Sequence, residues 1–353
     1  MSNLKAVILA GGKGTRMNSE LPKVLHKVYD RCIIDYVCNA CEDAGFSDIC
    51  MIIGHKSEQL KKHVNRENVI FCLQEEQLGT GHAVLQAKDH INDDDIVLVI
   101  NGDQPLISSS TIKSLISFFK QGNYGGAILS AIIEHPGSLG RVIRDDNGNL
   151  VKIVERKDCD DEQIKIKEIN IGVYCFKGDL LKSSLSKLDN NNAQKEYYIT
   201  DLPYHIMKEG HHFGVFAIPD VSEFQGINSR HELSEVTKTL LNKTRKKHME
   251  NGVTLIDPDN TYISLDVEIG KDTIIYPNSN IQGDTIIGKN CIIGPSSHII
   301  SSTLGDNVTL ETSKVINSSI GDNCKIGPFV HLSYNSYINN NSNIDSFTEI
   351  KNI

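Results

Sequence analysis

Leu9 to Lys23 reads LAGGKGTRMNSELPK directly after the apolar run Lys5-Ala6-Val7-Ile8, so a strand empties into a loop rich in glycine and positive charge. Gly11, Gly12 and Gly14 leave no side chain in the way, and consecutive amide N–H groups on such a loop can converge on an anion. Lys13, Arg16 and Lys23 add mobile cations. The chemistry this suits is phosphate binding, yet no Gly-Lys-Ser/Thr closes the loop and no third fingerprint glycine follows, so neither the Walker nor the dinucleotide pattern applies. Asp103 follows Val97-Leu98-Val99-Ile100-Asn101-Gly102, placing a carboxylate at the C-terminal end of a buried strand, the edge where open α/β sheets hold ligands. A hard divalent ion needs few protein oxygens when waters and phosphates complete its shell, and Asn228 is the candidate second ligand. The competing reading is that Gly102-Asp103 is only a turn. Gln74-Glu75-Glu76-Gln77-Leu78-Gly79-Thr80-Gly81-His82-Ala83 is a further strand-to-helix passage. Gln74 can pair with a pyrimidine edge while Gly79 lets backbone approach; equally, the segment can be a glycine-broken turn with Thr80 as helix cap. His82 is read as a helix-start histidine rather than a base, because phosphoryl chemistry rests on charge and alignment.

The elements that must position these residues alternate up to about residue 220. Strand-like runs at Leu4–Ala10, Ile49–Gly54, Val69–Gln74, Ile96–Ile100 and Ala127–Ile133 are separated for the most part by amphipathic segments such as Tyr36–Ala44 and Ile112–Lys120. This predicts an α/β, Rossmann-like mixed and mainly parallel sheet with helices on both faces. Arg141 to Arg156 predicts an antiparallel hairpin turning at Asp145-Asp146-Asn147-Gly148. Ser229 to Glu250 predicts a linking helix that stops at Asn251-Gly252.

From Ile269 an aliphatic residue recurs at every sixth position through Ile299, resumes after a five-residue step at Leu304, Leu310 and Ile316, and after a four-residue step at Ile320 through Ile350. Small or medium residues stand two places earlier, with Lys314 the exception, and glycines such as Gly270, Gly288 and Gly305 follow, where a permissive backbone could make the bend. Hexads of this kind predict a parallel β-helix, three to a coil. The repeat is still running at Ile353, so the last coil is expected to want a partner or more chain.

The formal charge of −9 over 353 residues argues against general nucleic-acid binding. Nine scattered cysteines suit a reducing cytoplasm, and Cys38-x-x-Cys41 sits at helical spacing, so helix core is preferred to a redox or zinc role. No apolar run is long enough for a signal peptide or membrane span, and a cytoplasmic location is expected.

In order along the chain, LAGGKGTRM with LPKVLH, QEEQLGTGHA, NGDQPLI, GRVIR, IVERKDC, EINIGVYCF, NNNAQKEYYITD and FQGINSR resemble the bacterial bifunctional N-acetylglucosamine-1-phosphate uridylyltransferase and glucosamine-1-phosphate acetyltransferase family. The resemblance implies a sugar nucleotidyltransferase domain at 1–228, a linking helix at 229–252 and a left-handed parallel β-helix at 253–353. It further implies that Leu9, Ala10, Gly11 and Gly12 line a nucleotide pocket and that Gln74, Gly79 and Thr80 select uracil. Gly140, Glu155, Asn170 and Asn228 would hold the N-acetylamino sugar and the ribose, Asp103 and Asn228 a magnesium ion, and Arg16 and Lys23 the phosphates. Asn101 and Gly102 complete the pocket, Asn101 standing where some relatives carry an aromatic. The implied reaction joins UTP and N-acetylglucosamine 1-phosphate, in a homotrimer, for peptidoglycan precursor synthesis. Acetyl transfer is not expected: the later coils of the family's β-helix are absent, Ser333 stands where the family has an arginine, and Lys351, which matches a sugar-phosphate lysine, reads as solvated. The rival readings are another sugar or base on the same loop, such as glucose 1-phosphate with dTTP or ATP, and a non-catalytic β-helical sensor of sugar nucleotides.

Overall fold

The computed structural model describes residues 3–54, 57–333 and 335–351. The chain folds as two compact units, one from the chain up to Lys27 and Arg31–Leu233, the other from Val28–Asp30 and Ser234 onward.

In the first unit the strands are β1 (Leu4–Leu9), β2 (Asp48–Ile53), β3 (Val69–Leu73), β4 (Ile96–Asn101), β5 (Gly126–Ile132), β6 (Arg141–Arg144), β7 (Leu150–Val154), β8 (Glu168–Lys177) and β9 (Phe213–Ala217). They form one sheet in the order β9-β5-β8-β4-β1-β2-β3, with the β6–β7 hairpin joined to β8. β1 pairs in parallel with both β2 and β4, whereas β8 runs antiparallel between β4 and β5. Chain order therefore reverses between β1 and β4, the kind of switch point where the loops on either side diverge and leave a crevice.

Both faces of the sheet are covered, because alternate residues of fully buried strands are apolar. Ala6, Ile8, Leu98 and Ile100 face one cluster with helices α1 (Ile33–Asp43) and α3 (Ser109–Gln121), while Val7, Val97 and Val99 face the other with α2 (Thr80–Leu85). Cys38 and Cys41 lie in the α1 core, and burial raises both thiols, Cys38 to about 12, which leaves them protonated and unreactive at neutral pH. Helix α4 (Arg230–Glu250) opens on a capping box: Glu232 N bonds Ser229 Oγ at 3.2 Å and Glu232 Oε2 accepts from the amide of Ser229 at 3.0 Å and from that of Asn228.

The second unit carries three stacks of short parallel strands, ordered one coil above the next, which form a left-handed parallel β-helix. Ile275, Ile293, Leu310 and Ile326 stack in register on one wall, and all are buried. Two details differ from the sequence expectation. Val315, not Ile316, aligns with Ile299 and Leu332 and faces the core, so the irregular stretch steps by six residues from Leu304 to Leu310 and then by five to Val315 and by five again to Ile320. The buried residue two places earlier is then Ser313, and the exception at Lys314 disappears. Most of the glycines after the aliphatics also serve a different purpose, Gly327 at φ +98 being the exception. Gly270 and Gly288 do not adopt positive φ, but a Cβ on either would come within 2.6 Å of the backbone of the coil above. The bends are made instead by Asp272, Asn278, Asn290, Ser296, Asn307 and Asn323 in the left-handed region, where short polar side chains are tolerated best.

Val315→Ser should therefore lower stability in urea unfolding by about 2 kcal/mol or more, since it opens a cavity and buries a hydroxyl. Ile316→Ser, on the half-exposed neighbour, should cost less than about 1 kcal/mol. The reverse ranking would contradict the register.

Candidate functional site

Four parallel strands, β1 to β4, end level, and their hydrogen-bond ladder runs one residue further: Ala10 N bonds Ile52 O at 2.9 Å, Gly102 N bonds Leu9 O at 2.9 Å, and Gln74 N bonds Ile53 O at 2.8 Å. The loops that leave these ends enclose a cleft of about 290 Å³ lined by Leu9, Ala10, Gly11, Gly12, Lys23, Gln74, Gly79, Thr80, Asn101 and Asp103. Val24, Gln77, Ala83 and Glu196 complete it.

The glycine loop keeps its amides available. Among the described residues the backbone N–H groups of Gly11 and Gly12 make no backbone hydrogen bond, and nothing lies within 4 Å of where a Gly12 side chain would begin. Gly14 sits at φ +59, and a Cβ there would lie 2.7 Å from Lys23 Cβ, so only glycine lets the Lys23 stem run beside the loop. Lys23 Nζ donates to Asp103 Oδ2 and, at 3.0 Å, to Asn228 Oδ1. Asp103 and Asn228 are brought together by the bond from Ile227 N to Asp103 O at 2.9 Å and by the capping box that fixes the Asn228 amide. Asn228 thus meets the site through Lys23 and is not part of the cleft wall.

Gln74 is 5% exposed, and its Nε2 is 3.1 Å from both Gly79 O and His82 Nδ1. The nitrogen is assigned to that side because a carbonyl oxygen there would face the Gly79 oxygen. Both N–H bonds are then spent inside the protein, and Oε1 is left toward Gly11, whose Cβ would lie 3.5 Å from it. Gly79, at φ +113, presses on Tyr197: Tyr197 N bonds Leu78 O at 2.8 Å and Gly81 N bonds Tyr197 O at 2.7 Å. Thr80 is not the helix cap; that place belongs to Gly79, and Thr80 Oγ1 accepts from Ile199 N at 3.1 Å. His82 as the acceptor that orients Gln74, and Gln77 as a donor to Gly11 O, were not singled out from the sequence. The i, i+8 spacing of Gln74 and His82 across a strand end carries no periodic signal.

Arg16 lies exposed on the one-turn Thr15–Met17 helix, outside the cleft lining. Gly102 lies behind the cleft, bonded to Leu9. Gly140, Glu155 and Asn170 form a group of their own at the start of β8: Asn170 N bonds Gly140 O at 2.9 Å, and a Cβ on Gly140 would lie 3.6 Å from Glu155 Oε2. Because β8 is antiparallel to β4, its first residues fall at the edge where β4 ends, and Asn101 Nδ2 reaches Gly172 O at 3.4 Å. Glu155 opens into a second hollow of about 400 Å³ with Asp158, Tyr198, Thr200 and Asp201. Burial raises the Glu155 carboxyl, opposed by the hydroxyl of Thr200 at 3.3 Å. Burial, then the charges of Asp189 and Asp158, raise Asp201 from 3.8 to about 6.

The Nucleotidyl transferase family model matches residues 5–221, and the GMPPB C-terminal domain model matches residues 259–353. The chain is 48% identical over 347 residues to the Bifunctional protein GlmU of Clostridium kluyveri and 45% identical to that of Clostridium acetobutylicum, in each case over 98% of this chain and 76% of the relative. The Clostridioides difficile protein of the same name is 44% identical over 350 residues. Among solved structures, a Bacillus anthracis glucose-1-phosphate thymidylyltransferase superposes with a TM-score of 0.55 at 19% identity, covering 66% of this chain and 94% of that one, a likeness of fold. No helix among the described residues is long and apolar enough to cross a membrane.

A carboxyl held above its unfolded value binds its proton more tightly in the folded chain, so Asp201 costs stability as pH climbs from 3.8 through about 6. Asp201→Asn should raise the melting temperature at pH 8 and lose most of that gain at pH 4. An equal gain at both pH values would show that charge is not the cause.

Proposed function

This chain belongs to the bifunctional GlmU family, and from that premise we propose that its first unit is a uridylyltransferase that joins UTP and N-acetylglucosamine 1-phosphate to give UDP-N-acetylglucosamine and pyrophosphate. The observation that carries the reading is the Gln74 amide, locked with its oxygen toward the glycine loop. Uracil presents a donor at N3 that this oxygen accepts; cytosine presents an acceptor there and is rejected. Thymine shares the uracil donor, so Gly79 and Thr80, with the Tyr197 segment zippered against them, set how closely the base can approach.

The sugar phosphate arrives already ionised and needs no general base. Its oxygen attacks the α-phosphorus in line while pyrophosphate departs, and the chain supplies alignment and positive charge. The free amides of Gly11 and Gly12 receive phosphate oxygens beside Leu9 and Ala10. Lys23 steadies the α-phosphate and Arg16, exposed on its short turn, reaches the departing pyrophosphate. Asn101 and Gly102 back the nucleotide, and Gly140, Glu155, Asn170 and Asn228 receive the N-acetylamino sugar and ribose. Glu155, half-buried beside the Thr200 hydroxyl, suits a hydrogen-bonding role toward a sugar hydroxyl or amide.

Asp103 and Asn228 offer hard oxygens that converge on one cation, as the Lys23 ammonium between them demonstrates, and this donor set fits magnesium. The ion would be held by Asp103 and Asn228, and its chemistry is to neutralise phosphate charge. Assembly as a homotrimer through the β-helix is part of the same reading, supported by the exposed side chains of Ile286, Ile292 and Tyr337 on its walls. A cytoplasmic site of action fits substrates of this kind. Acetyl transfer stays outside the proposal, since Ser333 replaces the expected arginine and Lys351 pairs with Glu349 at 2.6 Å.

Pyrophosphate release with each of four nucleoside triphosphates tests the assignment. Gln74→Ala should lower the preference for UTP over CTP by about 10–100-fold, the loss of one buried polar contact to the base. Asp103→Ala should lower kcat by about 100-fold or more in magnesium while leaving the melting temperature within a few degrees. A Gln74→Ala enzyme as selective as the parent, or an Asp103→Ala enzyme of normal turnover, would overturn the respective role.

A further inference from the structure

The two oxygens on which the reading above seats a divalent ion are not vacant in this structure. Both accept from the Lys23 ammonium, Asn228 Oδ1 at 3.0 Å, and the side chains of Lys23 and Asp103 are only 13% and 19% exposed. A divalent ion and an ammonium cannot share the same carboxylate oxygen in a half-buried site, because their mutual repulsion acts at contact range in a medium less screening than water. We propose that Lys23 is the resident counter-ion of the metal seat: it holds Asp103 and Asn228 together in the metal-free protein and must leave both before a divalent ion can enter. The proposal rests on the assignment of Asp103 and Asn228 as that seat.

The geometry gives the displaced ammonium one destination. Its stem is fixed against Gly14, where a Cβ would stand 2.7 Å from Lys23 Cβ, and Lys23 lines the same cleft as Gly11 and Gly12, whose amides make no backbone hydrogen bond among the described residues. A lysine that swings off Asp103 therefore arrives where phosphate oxygens gather. Exchange couples the two ligands through one side chain: an ion that takes the seat frees a cation for phosphate, and a phosphate that captures Lys23 clears the seat for the ion. By linkage, each strengthens the other by the same factor. Asp103 is never left as an uncompensated carboxylate beside an empty cleft, and the metal-free protein holds a divalent ion weakly until the triphosphate arrives. A purely structural ion pair makes the opposite demand, since removing Lys23 would then loosen Asp103 and weaken any ion bound to it.

Manganese binding to the whole chain without nucleotide, followed by calorimetry and by the electron paramagnetic resonance of free manganese, separates the two. Lys23→Met keeps the length and the apolar stem of the side chain and should bind manganese about tenfold more tightly than the parent, within the usual range of such couplings, although its turnover falls. Lys23→Ala should show the same gain, and circular dichroism confirms that each variant is folded. Arg16→Met removes an exposed charge of the same loop that does not occupy the seat and should gain less than about threefold. Lys23→Met with no gain, or Arg16→Met with an equal gain, overturns the exchange. Tight manganese binding by Lys23→Met that survives Asp103→Asn in the same chain overturns instead the assignment of the seat.

Discussion

The cleft depends on a register. β1 is bonded in parallel to β2 on one side and β4 on the other, and the ladder continues past each strand end, through Ala10, Gly102 and Gln74. Those bonds place the glycine loop, the carboxylate turn and the Gln74 amide along one edge of the sheet. A backbone ordered in advance loses little further freedom on binding, and its unpaired amides need not reorganise when charge develops. A slip of one residue in β4 would turn the Asp103 segment to the opposite face of the sheet. The antiparallel β8 extends the same edge, since only a reversed neighbour can bring Asn170 and Gly172, at a strand beginning, to where the other strands end.

The electrostatics of the first unit are local. The chain carries a formal charge of −9, yet it has to receive a triphosphate and a sugar phosphate. Attraction cannot come from net charge, and in the proposed function it is assigned to Lys23, Arg16 and the amides of the glycine loop. The second hollow is the counterpart, with Glu155 and Asp201 half-buried near the exposed Asp158, and burial raises the carboxyls of both Glu155 and Asp201. Two adjoining regions of opposite character suit a ligand with an anionic diphosphate at one end and an uncharged sugar at the other.

Much of this was legible in the residues. The apolar runs locate the strands of the parallel core, and Leu9–Gly14 and Asp103 fall at strand ends because sequence marks where apolar patterning stops. Period six marks the β-helix for the same reason: each coil repeats one steric problem. What escaped was whatever depends on contacts distant in sequence. The inward turn of Val315 rather than Ile316 follows from its neighbours Ile299 and Leu332 on the adjoining coils, and local hydrophobicity cannot choose between Val and Ile. Glycines such as Gly270, Gly288 and Gly305 are dictated by the coil above, not by their own backbone angles, whereas Gly327, at φ +98, does serve a bend. His82 and the Tyr197 segment orient Gln74 and Gly79 across strand ends and loops, where no periodicity reports on partners. The association of Lys23 with Asp103 and Asn228 joins positions that only the folded sheet brings together.

The most direct measurement is a crystal structure of the chain with UDP-N-acetylglucosamine and a divalent ion. The account predicts the diphosphate against the amides of Gly11 and Gly12, uracil N3 donating to Gln74 Oε1, and the N-acetylamino sugar directed toward Gly140, Glu155 and Asn170. A nucleotide bound at another edge of the sheet, or a uracil turned away from Gln74, would contradict it.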